Sequence, residues 1–342
     1  MRNFQRPCAL LLALLVLLIS IPLTACGNDA NQAVVGTCGE YDVLYEELRF
    51  ATLTYKDLLN DVYDKDKTDQ KTIWDDPETA ELYRSKLEES VYQLILDNYS
   101  VLTACSKYGI STDVFWSDTV QNAVNTSMSN LMATYENRDD FYAALDATYM
   151  TENRFRFVFA VEEMKNVLLK KLQEDKLLIT SEEEFSDWLA DGNCAYVQHV
   201  AVYNDEGEDI EMNRQLIETA AEGISNQYDG KDFNYYVGSF YNEDTSNTAP
   251  YYVLRHAHDD ALVDAAVALQ NPEDVTDIIE TEDGFYILMR IAEGESTLED
   301  NLSNLLNLYQ WGIVSEKVAE ANAKASIQWN EYGQSIDLVT MQ

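Results

Sequence analysis

Three histidines are the side chains best suited to chemistry near neutral pH: His199, His256 and His258. His199 lies in AYVQHVAVY, where the alternation of residues predicts a β-strand that carries Val197 and Ala201 on the same face. An imidazole in that position either takes part in a ligand groove or packs as a partly buried ring. The residues alone leave both interpretations open.

The segment His256-x-His258 has a spacing that could hold a metal ion, since alternate residues of a strand share one face. Only Asp259 and Asp260 follow as further ligands, and the segment is expected to be a loop, so we predict no metal site. The chain has neither a serine nucleophile elbow nor a glycine-rich phosphate loop, so no catalytic motif of a hydrolase is recognisable. No cofactor is expected.

Cys26 ends an apolar N-terminal segment that begins with basic residues and closes on small ones, MRNFQRPCALLLALLVLLISIPLTACGN. Its apolar run of about 15 residues is shorter than the roughly 20 that a membrane-spanning helix needs, so residues 1–25 are predicted to be a signal peptide. LTAC resembles the lipobox of bacterial lipoproteins, in which the cysteine carries a diacylglyceryl group. We expect Cys26 to anchor the mature chain to the outer face of the cell membrane. The alternative is an ordinary signal peptide with a cysteine there by chance.

The mature chain contains three more cysteines, Cys38, Cys105 and Cys194. Their odd number and wide spacing exclude a complete disulfide framework, and there is no C-x-x-C pair for redox or zinc chemistry. One disulfide remains open, but buried free thiols are favoured.

The chain is strongly acidic, with 61 Asp and Glu against 23 Lys and Arg and a formal net charge of −38. A surface of this charge repels nucleic acid and anionic lipid headgroups, so neither is expected as a partner. It would attract basic or unfolded polypeptides and loosely bound Ca²⁺. The alternative is that the acidity only keeps the protein soluble.

The pattern of elements predicts an α+β protein with a helical domain at 26–192, a small α/β domain at 193–294, and a C-terminal helix and tail at 295–342 that pack back on the first domain. The first domain opens with a short strand and a turn at Gly39, and amphipathic helices follow it. In the second domain, AYVQHVAVY precedes two helices, and DVTDIIETEDGFYILMRI predicts two strands around Asp283-Gly284.

This layout resembles the parvulin-type foldase lipoproteins, the extracytoplasmic folding factors related to PrsA and SurA. VVGTCGEYDVLYEELRF is similar to the opening of that family, and DDFYAALDATYMTENRFRFVFAVEEMKNVLLKKL to its helical chaperone segment. YVQHVAV, the element GKDF and ALVDAAVALQNPEDVTDIIETEDGFYILMRI follow the order of its isomerase domain. The resemblance implies a chaperone domain with an inserted prolyl cis–trans isomerase domain.

The resemblance further implies two facing histidines on neighbouring strands, an acidic residue nearby and apolar walls for the proline ring. His199 matches the first histidine, Tyr286 occupies the position of the second, and Asp244 loosely matches the acidic residue. The wall positions are assigned to His258, Leu262, Val267 and Phe285. Because a tyrosine cannot reproduce the tautomer coupling of an imidazole, isomerase activity is expected to be weak or lost.

These observations predict a membrane-anchored extracytoplasmic foldase that acts on unfolded or newly secreted polypeptides. Two alternatives are a solute-binding lipoprotein and a structural surface protein without foldase activity. The long amphipathic helices and the lack of two repeated α/β lobes speak against a solute-binding protein, and a structural protein would have no need of the strand–helix–strand domain. A homodimer stays open.

Overall fold

The computed structural model describes residues 31–64, 73–74, 79–204, 210–226, 232–239, 249–294 and 297–342. The predicted signal peptide with Cys26, and the loop residue Asp244, lie outside the described residues.

Helices form most of the described chain. In chain order they are α1 (Tyr45–Asp64), α2 (Ala80–Lys107), α3 (Asp118–Met132), α4 (Arg138–Ala147), α5 (Glu152–Glu174), α6 (Glu182–Trp188), α7 (Ile210–Asn226), α8 (Phe233–Ser239), α9 (Asp260–Ala268), α10 (Thr297–Asn322) and α11 (Glu331–Ser335). Polar caps begin several of them: the side chain of Ser181, for example, accepts a hydrogen bond from the backbone N–H of Glu184.

The strands form two small sheets in which all pairs are antiparallel. In chain order they are β1 (Val34–Cys38), β2 (Tyr41–Leu44), β3 (Cys194–Tyr203), β4 (Tyr251–Leu254), β5 (Ile279–Thr281), β6 (Gly284–Arg290) and β7 (Ile327–Trp329). The first sheet has the order β2-β1-β7 and the second the order β4-β3-β6-β5. Helices with small antiparallel sheets confirm the predicted α+β class.

The chain divides into two compact units, one made of Met1–Lys171 and Lys317–Gln342 and the other of Leu172–Glu316. The second unit is therefore inserted in the sequence of the first. The boundaries predicted at 193 and 294 fall inside this second unit, and they stay a prediction.

In the first unit, β7 pairs with β1, so the C-terminal tail completes the sheet that the N-terminal hairpin begins. The hairpin turns at Gly39, whose φ of +58° lies in the left-handed region that glycine adopts without strain. The helices around this sheet bury a charged pair: Nη1 of Arg154 lies 3.6 Å from Oε1 of Glu47, and both side chains are almost fully enclosed. Tyr99 donates a hydrogen bond to the same carboxylate, which satisfies part of its need for partners.

The three cysteines of the described chain are free thiols. Cys38 and Cys105 are buried in the first unit, and Cys194 is partly buried in the second. Burial raises the pKa of Cys105 to about 12 and that of Cys194 to about 11, so both stay protonated and unreactive at neutral pH.

The second unit is built on the four-stranded sheet with a helix layer on each face. One face packs against α9 through a core that includes Val197, Ala201 and Val263. The other packs against α7 and α8 through a core that includes Val200 and Phe285. This separation follows from strand geometry, because neighbouring residues of a strand point to opposite faces.

Five of these elements were not expected from the sequence: β2, β4, β7, α8 and α11. The largest correction concerns the segment before α9, which was expected to be a loop. Tyr251–Leu254 instead pairs with the first half of β3 and forms one edge of the sheet. Within the described residues, no helix has the length and apolar character that crossing a membrane would require.

Candidate functional site

Strands β3 and β6 bring two of the predicted site residues together. Ala201 pairs directly with Tyr286, and His199 lies two residues before Ala201 on the same face of β3. The ring centroids of His199 and Tyr286 are 6.2 Å apart with the rings inclined at 69°. His199 and Tyr286 therefore lie close together on neighbouring strands, with a phenol in the second position.

Two more tyrosines surround this pair. Tyr251, at the start of β4, meets His199 edge to face with ring centroids 5.3 Å apart. Tyr203, at the end of β3, meets Tyr286 edge to face at 5.9 Å. The sequence indicates the position of Tyr203, because the alternation along β3 places it on the same face as His199. Tyr251 has a weaker one, the run of β-formers YYVL after Pro250.

Two residues from the segment before and within α9 complete the group. The ring of His258 lies 6.0 Å from that of Tyr251, and Leu262 packs in the same core as Tyr286. Together these residues form what we call the His199 cluster: His199, Tyr203, Tyr251, His258, Leu262 and Tyr286. Tyr286 and Leu262 are buried, whereas the other members are partly exposed, so the cluster is a half-open aromatic surface with an apolar floor.

Burial sets the protonation of this cluster. It raises the pKa of both Tyr251 and Tyr286 well above the ordinary value, so their phenols stay neutral and can donate hydrogen bonds at physiological pH. It lowers the pKa of His258 to about 4. Nδ1 of His258 lies 3.0 Å from the backbone N and 3.2 Å from the carbonyl oxygen of Leu254, so it accepts from the first or donates to the second according to its tautomer.

Phe285 is the predicted wall residue that the structure does not place in the cluster. It is fully buried in the core between the sheet and α7, and the guanidinium of Arg214 lies 4.8 Å from its ring centroid. Because Phe285 and Tyr286 are neighbours on β6, they point to opposite faces and cannot line the same groove. Val267 does lie on the correct face, where it packs partly buried against the core that contains Leu262.

The two histidines of His256-x-His258 do not share a face. His256 has a left-handed φ of +69° in a turn, and its Nδ1 lies 2.7 Å from Oε1 of Glu316. Its ring stacks on that of Trp188, away from the contacts that His258 makes with Tyr251. Over the described parts of the chain, no group of three or more His, Cys, Asp and Glu is arranged to hold a metal ion.

The side chains of the His199 cluster can form hydrogen bonds and can enclose an apolar group. Neutral phenols and an imidazole can bond to a peptide carbonyl or amide, and Leu262 with the tyrosine rings can enclose a small apolar ring. None of the six side chains is a thiol, a carboxylate or a serine.

No protein-family model and no curated protein matches the chain. Solved structures do show a similarity to foldases and chaperones. Foldase protein PrsA from Streptococcus pneumoniae is 15% identical over 81% of this chain and 98% of its own, with a TM-score of 0.33. Peptidylprolyl isomerase PrsA from Bacillus anthracis is 12% identical over 67% of this chain and 97% of its own, also with a TM-score of 0.33.

A SurA-like chaperone of Campylobacter jejuni is 13% identical over 87% of this chain and 99% of its own, with a TM-score of 0.26. The similar structures therefore come from the class of proteins that the sequence resembles. At these identities and TM-scores the similarity does not assign an activity to this chain.

Proposed function

We propose that this chain is a membrane-anchored extracytoplasmic foldase that binds unfolded or newly secreted polypeptides, with a diverged parvulin-type isomerase domain at about 193–294. The observation that carries the proposal is the placement of His199 beside Tyr286 and Tyr251 on one half-open face of the second sheet, where Leu262 packs in the core that contains Tyr286. Such a surface fits an X-Pro segment, whose proline ring is apolar and whose flanking amides need hydrogen-bond partners.

The chemistry of prolyl isomerisation suits a site without a nucleophile. The barrier of about 18–20 kcal/mol arises from amide resonance, and no covalent bond to the catalyst is needed to lower it. As the bond twists, the prolyl nitrogen regains a lone pair, which a phenol O–H or an imidazole N–H can stabilise. Tyr286 supplies one such donor in the position where the family has its second histidine.

The test is the cis–trans isomerisation of a short X-Pro peptide in the presence of the chain from Gly27 onward. Uncatalysed exchange takes tens to hundreds of seconds at 25 °C, so weak catalysis is measurable. We expect acceleration by the native chain, loss of it in His199→Ala, and no loss in the matched control His256→Ala, because His256 lies outside the cluster.

The variant Tyr286→His separates an active site from a binding site. If the native chain is inactive and Tyr286→His gains activity, the groove binds proline segments without turning them over. If neither protein accelerates exchange and neither binds the peptide, the foldase proposal is contradicted for this site.

The proposed location at the membrane depends on a lipid anchor attached to Cys26. The lipobox-like sequence before Cys26 supports it. Replacing Cys26 with serine in cells is expected to release the protein from the membrane fraction, and continued retention of Cys26→Ser in that fraction would contradict a lipid anchor.

A further inference from the structure

The second sheet has a long edge on the side away from β4. Strand β5 is the outermost strand there, and the chain before it also runs along β6. Val275 forms an isolated antiparallel bridge with Met289. The N–H of Thr276 donates to the carbonyl of Leu288, and the N–H of Arg290 donates to the carbonyl of Asp274, both at 2.9 Å. The edge therefore has two parts, β5 itself and the segment around Val275.

The backbone of Val275 faces away from the sheet. The groups that bond to β6 belong to its two neighbours, Asp274 and Thr276, so by the alternation of an antiparallel ladder its own N–H and C=O point outward. No described residue hydrogen-bonds to either group. Val275 is 37% exposed, which places it among the exposed large hydrophobic residues of the described chain.

A groove of about 360 Å³ opens beside this edge. One wall is the end of α7, with Ala221, Ile224 and Ser225, and the other is the segment 275–278. Its floor is Ile287 of β6, which belongs to the core on the α7 face. The groove therefore lies on the face of the sheet opposite the His199 cluster and is a different site.

We propose that this edge and groove bind an extended, apolar segment of an unfolded polypeptide, which adds to the sheet as an outer strand beside Val275. The outward N–H and C=O supply the backbone pairing, and every second side chain of the added strand points to the α7 side of the sheet, on which the groove lies. Asp277 in the wall favours a segment with basic residues at its ends. The choice of an unfolded polypeptide as the occupant rests on the proposed function. The edge and the groove themselves are observed in the structure and do not depend on it.

The proposal is tested with the full chain and a fluorescent eight-residue peptide in which valine and threonine alternate between terminal lysines, followed by anisotropy. Two N-methylated forms of the peptide block alternate N–H groups in one register or the other. In the protein, Val275→Pro removes the outward N–H without touching the bonds of its neighbours, and Ser225→Trp fills the groove. His199→Ala is the control, since it alters only the other face.

Losing one or two backbone hydrogen bonds is expected to weaken binding roughly tenfold for one of the two methylated peptides and for Val275→Pro. Ser225→Trp should weaken it as well, and His199→Ala should leave it unchanged. The proposal is overturned if the parent peptide does not bind, or if both methylated peptides bind as well as the parent. Should Val275→Pro fail to fold, the methylated peptides with the native chain still decide.

The two sites can fail separately. If the native chain binds the alternating peptide but neither binds nor isomerises X-Pro peptides, only the proposed function of the His199 cluster is contradicted. Binding of X-Pro peptides without any binding of the alternating peptide would overturn the edge proposal alone.

Discussion

Tyr251 and Tyr286 give the His199 cluster its hydrogen-bonding character. A phenol is already protonated near neutral pH, and burial raises the pKa of both further, so each can donate a hydrogen bond throughout pH 6 to 8. A pair of histidines would titrate near neutral pH, whereas this arrangement does not depend on a second imidazole. Activity that involves Tyr286 should therefore be insensitive to the titration of that side chain between pH 6 and 8.

His258 is expected to make the stability of the second unit depend on pH. Its pKa is lowered by burial from 6.5 in the unfolded chain to about 4 in the folded one, so the unfolded state binds more protons between these values. The contribution of the neutral ring is fully present above pH 6.5 and is lost as the pH falls toward 4. The expected loss of unfolding free energy between pH 7.5 and pH 5 is about 2 kcal/mol.

Urea unfolding at the two pH values measures this loss. In His258→Asn the side-chain amide can both donate and accept a hydrogen bond at the backbone of Leu254, but it does not titrate. The variant should therefore lose about 2 kcal/mol less unfolding free energy than the native chain on acidification. An equal loss in both proteins would show that His258 is not the group responsible.

At the scale of the element, the turn between β5 and β6 determines where Tyr286 lies. Gly284 has a φ of +150°, and a Cβ at this position would lie 2.3 Å from the carbonyl oxygen of Val202 on β3. A side chain at this position would therefore push β6 away from β3 where Gly284 pairs with Tyr203, two residues before Tyr286.

The substitution Gly284→Ala is expected to lower the thermal stability of the second unit strongly and to weaken binding at the His199 cluster. Gly39→Ala is the matched control in the other unit: its φ is also positive, but nothing lies within 4 Å of the added Cβ. That control should cost only the backbone strain, about 1 kcal/mol. If the two substitutions cost the same, the close approach of β3 and β6 does not position the site.

The elements differ in how far the sequence predicts them. The long helices and β3 follow from amphipathic spacing and from alternation, which depend only on local sequence. Strands β4 and β7 are short and exist because they pair with segments distant in the chain, as β7 does with β1. Local pattern carries little information about such pairing, so both were missed.

The residues of the candidate site also differ in how far the sequence predicts them. His199, Tyr286 and Leu262 were predicted from the resemblance and come together in the structure. Tyr251 was missed because its place depends on the unpredicted β4. Phe285 was assigned to the wrong face even though the alternation along β6 would have excluded it.

At the scale of the whole molecule, the net charge of −38 is expected to select among clients. Attraction between opposite charges speeds the encounter with basic clients, and repulsion between like charges suppresses the binding of acidic ones. Salt screens both effects over about 8 Å at physiological ionic strength. Light scattering should show stronger suppression of aggregation for a basic unfolded client than for an acidic one of the same length. Equal suppression of both at low salt would indicate that the acidity serves solubility alone.

The most direct test of the account is a nuclear magnetic resonance titration of the chain with an X-Pro peptide and with the same peptide carrying alanine in place of proline. We expect saturable shifts confined to the His199 cluster, tighter binding of the proline peptide, and loss of both in His199→Ala. Absence of saturable binding, or equal binding of the two peptides at a surface that excludes His199, would contradict a proline-directed site on this sheet.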